Sequence, residues 1–138
     1  MKLRQQLKTS FVNELRFVSK SMKAVQNPAE KLYLFSATYG AAYQIMNIEF
    51  DAELSFLNQV LGSAYATMNN SLNQIKSGQL ISTFTPNLFP RLESQIDVLA
   101  DLIEADKPCY EALQEIGKLA YSTTGNGHYL FLKGALTI

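Results

Sequence analysis

Residues 41–61 read AAYQIMNIEFDAELSFLNQVL, and the path of the chain through them decides the fold. The stretch holds neither Gly nor Pro, the strongest punctuators of local structure. Apolar positions cross it at helical spacing and go on as Leu54, Leu57, Leu61, Ala64, Met68, Leu72 and Ile75. Two paths compete. In one, the chain turns within residues 47–51 and Asp51 caps a new helix. In the other, a single very long central helix covers residues 28–76. That helix would be about 73 Å long at about 1.5 Å per residue, a length that almost requires a partner. Ordinary helix length favours the turn; the missing breakers favour continuation.

Upstream, Asn27-Pro28-Ala29-Glu30 reads as a helix start: an Asn cap, Pro at the first helical position and Glu at the third. The segment that follows is apolar nearly all round, which predicts a central, buried helix. Its small residues Ser36, Ala37, Gly40 and Ala41 would let another helix approach closely. Before Pro28, Leu3, Leu7, Phe11, Leu15, Val18, Met22 and Val25 step by threes and fours and define a first helix, with Arg16, Lys20 and Lys23 on its other face.

Downstream, Gly78 suits a helix C-cap. Residues 78–90 read as an apolar loop with Leu80, Ile81, Phe84, Leu88 and Phe89. Leu92, Ile96, Leu99 and Ile103 predict the next helix. Asp106-Lys107-Pro108 ends it and opens another, with Leu113, Ile116 and Ala120 inward. Residues 122–127 read as a turn, and the apolar residues 128–138 read as a final helix docked on the bundle rather than a strand. The expected fold is therefore all-α, a helical bundle of five to six helices forming one domain over residues 1–138.

Composition excludes several classes of function. The chain of 138 residues carries 12 basic and 12 acidic side chains, one His and one Cys. One Cys forms no intramolecular disulfide, and one of each cannot build a Cys/His zinc cluster. A di-iron bundle needs two His, and no phosphate-cradling Gly-rich loop is present, since Gly125-Asn126-Gly127 lacks the Lys of a P-loop. The uncharged run over residues 32–48 is interrupted by Ser36, Thr38, Gln44 and Asn47, which argues against a membrane span. The N-terminus lacks the apolar core of a secretory signal, so a cytoplasmic setting is expected.

The zero net charge is a cancellation between segments. Residues 1–31 hold seven bases against Glu14 and Glu30; residues 91–118 hold seven acids against three bases. A basic first helix could meet nucleic acid or an anionic surface, but the acidic helix over 92–104 is the simpler target for its charge, so nucleic acid is not the expected partner. Between residues 54 and 75 there is no charge at all, and the polar positions are Ser, Thr, Asn and Gln. Charge depletion marks interface cores, because a buried charge costs far more than a buried amide that finds a partner. Asn58, Gln59, Asn69, Asn70 and Asn73, with Phe84, Leu88 and Phe89 of the following loop, are the candidate interface.

Two further clusters carry possible chemistry. Tyr39 and Tyr43 on the apolar helix, with Glu49 and Glu53, could line a ligand pocket between helices. Cys109 in the first turn of a helix could have a depressed thiol pKa, with His128 as the one available base. Neither completes a catalytic constellation; no catalytic residue, metal site or cofactor is assigned. The expected function is a helical interaction or scaffold protein, a homo-oligomer such as a homodimer or a subunit of a complex, working through its charge-poor face. The alternative is a small-molecule or cofactor-binding bundle, an enzyme included, with a tyrosine-lined pocket.

Overall fold

The computed structural model describes residues 1–78 and 84–124, and these form five helices with no strand among the described residues. They are α1 (Gln5–Ala24), α2 (Pro28–Ile48), α3 (Ala52–Lys76), α4 (Leu88–Glu104) and α5 (Tyr110–Ser122). The expectations for residues 125–138, including the final helix and His128, lie outside the described residues.

The chain turns between α2 and α3, so the single helix over residues 28–76 is not formed. Glu49 and Asp51 adopt extended backbone, and Asp51 caps α3 by accepting the Leu54 N–H at 2.9 Å. A carboxylate cap competes with helix continuation, which replaces the absent Gly or Pro as the breaker. At the start of α2, Asn27 Oδ1 accepts the N–H groups of Ala29 (2.8 Å) and Glu30 (3.4 Å), with Pro28 in the first turn. Gly78, at φ 83°, ends α3 as its position implied. Helix α4 begins at Leu88, four residues before the predicted Leu92, and takes Pro90 into its first turn. Pro is tolerated there because those N–H groups have no intrahelical partner.

Each helix has two principal neighbours, giving the cyclic order α1, α2, α3, α5, α4 and back to α1. An odd ring cannot alternate direction all the way round. The α3–α5 pair carries the mismatch and runs parallel: Glu53 and Cys109 lie near one end, and Ser71 bonds Thr123 at the other. The core fills the ring with Phe11, Leu15, Phe35, Leu57, Leu61, Met68, Ile96 and Ile116, all fully buried.

Helix α2 is not the central helix expected from its composition. Only Leu32, Phe35, Thr38, Ala42 and Ile45 are buried, Leu34, Ala37, Tyr39, Ala41 and Met46 pack against the core while partly open, and Tyr33, Tyr43 and Ile48 are exposed. In a five-membered ring no helix is surrounded, so an apolar outer face is left to solvent.

Candidate functional site

The basic face of α1 meets the acidic face of α4. Lys8 pairs with Asp106 at 2.8 Å, Arg16 with Asp101 (2.9 Å) and Glu104 (3.1 Å), and Lys23 with Asp97 (3.1 Å). The pairs hold Asp106 and Glu104 below the ordinary carboxylate range, through the Lys8 and Arg16 hydrogen bonds respectively. Thus Lys8, Arg16 and Lys23 are engaged within the chain, while Lys20 on the same helix is exposed.

The acidic knot is also occupied internally. Glu53 Oε2 accepts the Met1 ammonium at 2.6 Å, Asp51 Oδ2 accepts the Lys2 N–H at 3.0 Å, and Glu49 Oε2 accepts Arg4 Nε at 3.1 Å. These contacts tie the segment before α1 across the α2–α3 turn. Tyr39 lies half-buried against Tyr65, ring centroids 5.6 Å apart, and its carbonyl accepts the Asn58 amide at 2.7 Å. Tyr43 is exposed. Of the four residues assigned to a tyrosine-lined pocket, Tyr39 and Tyr43 stay on α2, and Glu49 and Glu53 are committed to residues 1–4. Glu53 borders a hollow of about 310 Å³ with Phe56, Lys107 and Tyr110.

Cys109 is buried, and burial pushes its thiol up to about 11. This is opposite to the depression expected from a helix N-terminus: loss of hydration is the main cause, and the nearby Glu53 carboxylate adds to it. Among the described residues no group of three His, Cys, Asp or Glu could hold a metal ion, and no helix is long and apolar enough to cross a membrane.

The charge-free α3 segment divides into two faces. Leu54, Leu57, Leu61, Ala64, Met68, Ser71 and Leu72 are buried. Phe56, Gln59, Ser63, Ala66, Asn70 and Asn73 are exposed, at alternating steps of three and four, and form one continuous uncharged outer stripe. Gln59, Asn70 and Asn73 thus stand on the outward face. Asn69 is half-buried beside it, and Asn58 spends its amide on Tyr39. Leu88 and Phe89 differ from expectation: both are buried in the core, and Phe84 packs edge-on against Phe89 at 5.7 Å. They became core once α4 began at Leu88 rather than Leu92. Phe56 and Ala66 were missed, although the helical period of the inward leucines already places them outward.

Beside this stripe, α3 and α5 enclose a groove of about 440 Å³, bordered by Phe56, Gln59, Ser63 and Thr67 on one side and Gly117 and Tyr121 on the other. At the C-terminal end of α5, Thr123 donates its hydroxyl to the Ala120 carbonyl at 2.7 Å and accepts the Ser71 hydroxyl at 2.8 Å. A second groove of about 460 Å³ lies between α1 and α2, with Ala37, Gly40 and Ala41 along it, so the small residues of α2 border open space. Comparison with protein-family models, curated proteins and solved structures finds no match to this chain.

Proposed function

We propose that the protein is a helical interaction module that presents the outer face of α3 to a protein partner. The observation that carries this reading is the stripe of Phe56, Gln59, Ser63, Ala66, Asn70 and Asn73: six outward positions without a charge. The contrast with the α1–α4 side, where outward positions hold paired Lys, Arg, Asp and Glu, lies within one small fold. A solvated helix face tolerates charge at no cost, whereas an interface core excludes it. A second copy of the chain is the simplest partner, giving a homodimer. The unpaired Cys109 suits a reducing compartment, which supports a cytoplasmic setting.

Light scattering tests the reading. The full chain should associate at micromolar concentration, and Ser63→Lys with Asn70→Glu should return it to monomer with its helical circular dichroism intact. A wild-type chain that remains monomeric at high micromolar concentration would remove the self-association form of the proposal.

A further inference from the structure

The exposed stripe of α3 has the same spacing read in either direction. Ala52 and Ser77 are exposed as well and extend it at its two ends, so that the steps run 4, 3, 4, 3, 4, 3 and 4. Alternating steps of three and four repeat every seven residues, the spacing of a seam between two helices. Side-chain size also mirrors about the midpoint. Ser63 and Ala66 stand next to it, the amides Gln59 and Asn70 follow on either side, and Phe56 and Asn73 lie beyond. The Gln59 and Asn70 amides have no hydrogen-bond partner among the described residues.

We propose that a second copy of the chain covers this face with its own α3 running antiparallel, about a two-fold axis between Ser63 and Ala66. The proposal rests on the reading of α3 as the partner face and adds the occupant's direction and register. Reversal sets Ser63 opposite Ala66, Gln59 opposite Asn70 and Phe56 opposite Asn73 of the second copy. Size argues for the position of the axis. Two crossing helices come closest at one point, with axes about 8–10 Å apart depending on the side chains there, and the smallest pair occupies that point. Hydrogen bonding argues for the register. An amide carries both donors and an acceptor, so Gln59 facing Asn70 satisfies both groups without a charge. Electrostatics argues for the direction. An antiparallel pair sets the positive end of each helix dipole beside the negative end of the other. It also keeps the two copies of the exposed Lys76 at opposite ends of the seam, whereas a parallel pair would bring them to the same end.

A two-fold contact uses the same patch on both copies and so closes on itself. Each cross-axis pair occurs twice, and the stripe is consumed once two chains have met. Assembly through this face therefore stops at the dimer.

Disulfide trapping between full chains tests the register. In a Cys109→Ala background, Gln59→Cys and Asn70→Cys are made as separate variants. Within one helix these positions lie about 17 Å apart at about 1.5 Å per residue, and the same offset separates each from its own counterpart across the axis. A disulfide spans only about 7 Å between Cα atoms, so in an equimolar mixture the mixed dimer, identified by mass, should form about ten-fold faster than either variant links to itself. Self-linking of Gln59→Cys at the mixed rate would overturn the antiparallel direction. Equally slow linking in all three samples would overturn the register. Charge exchange is a second measurement and needs no cysteine variant. Asn70→Glu should weaken association about ten-fold, and Gln59→Lys added to the same chain should recover most of that loss, because the two new charges meet across the axis. Parallel copies would set like charges together, so a further loss in the double variant would overturn the proposal, as would no recovery. Light scattering of the unaltered chain separates this proposal from the reading it rests on. A dimer with the wrong cross-links overturns the register alone. A chain that stays monomeric at high micromolar concentration overturns the register together with self-association through α3, and leaves that face to a different protein.

Discussion

Lys31 of α2 and Glu93 of α4 form an ion pair at 3.1 Å with their side chains only 13% and 6% exposed. Lys31 Nζ also donates to the Met22 carbonyl and lies 5.7 Å from the Phe89 ring centroid. The Glu93 carbonyl accepts the Ser19 hydroxyl at 3.3 Å. One cation thus joins the end of α1, the start of α2 and the first turns of α4. Removing one partner leaves the other charge buried without compensation, so Glu93→Ala alone should cost about 3–5 kcal/mol. Lys31→Met with Glu93→Leu, which replaces both charges by apolar groups, should recover most of that loss. Urea midpoints of the three variants check this; a double variant as unstable as Glu93→Ala would contradict it.

Asp51 both breaks the chain and caps α3. Partial burial works against its charged form, yet the N–H groups of Lys2 and Leu54 outweigh this and hold its pKa below the usual 3.8. The stability it contributes is therefore complete above about pH 4 and declines as pH falls through the lower folded value. Asp51→Ala should lose roughly 1–2 kcal/mol at neutral pH through the missing cap. Asp51→Asn, which keeps the acceptor, should lose less at neutral pH and show a flatter stability profile on acidification. Thermal melts between pH 2 and 7 distinguish the two.

The Cys109 thiol should be inert in the folded chain. With its pKa pushed from 9.0 to about 11, the thiolate fraction at pH 8 falls about 100-fold relative to an exposed thiol, before burial limits access. A raised thiol pKa favours folding below 9.0, and that contribution is lost as pH rises toward about 11. Alkylation followed by mass spectrometry should be at least two orders slower in buffer than in urea. A native rate matching the unfolded one would show an open, reactive thiol.

Asp106 ends α4 in the left-handed region, at φ 56°, with Lys107 N–H donating to the Leu102 carbonyl at 2.8 Å. That backbone state penalises a Cβ except in short polar residues. Substitutions should rank Gly first, then Asn, then Ala in stability, even though each removes the pair with Lys8. Ala ranking above Gly would show that the turn relaxes out of this conformation.

Gly62 lies inside α3, where Gly is a poor helix former. A Cβ there would meet the Tyr39 ring at 3.8 Å, an ordinary contact. Gly62→Ala should stabilise the chain by about 0.5–1 kcal/mol. A destabilised variant would mean that Tyr39 must move, which the Asn58 bond to the Tyr39 carbonyl would register in amide exchange.

Much of this fold is legible along the chain because helix signals are local. The Asn27-Pro28 start, the Gly78 stop and the inward leucines of α3 need only their own neighbours to be read. The α4 start was misplaced because Pro90 acts as a breaker inside a helix and as a tolerated residue in its first turn, and only the backbone distinguishes the two. The candidate ligand cluster dispersed for a different reason: Glu49 and Glu53 found partners among residues 1–4, some fifty positions away in sequence.

The sequence by itself determined helix content, the inward faces and the charge-free stretch over residues 54–75, since periodicity and composition follow from residue order alone. Tertiary structure decided which of two paths residues 47–51 take, which helices neighbour one another, and which faces remain open. Those choices depend on contacts between distant segments: the residues 1–4 clamp on the α2–α3 turn, the α1–α4 ion pairs, and a ring of five that forces α3 and α5 to run parallel. No local pattern encodes an odd ring, and the groove beside α3 is lined by residues of α3 and α5 that are some fifty positions apart in the chain.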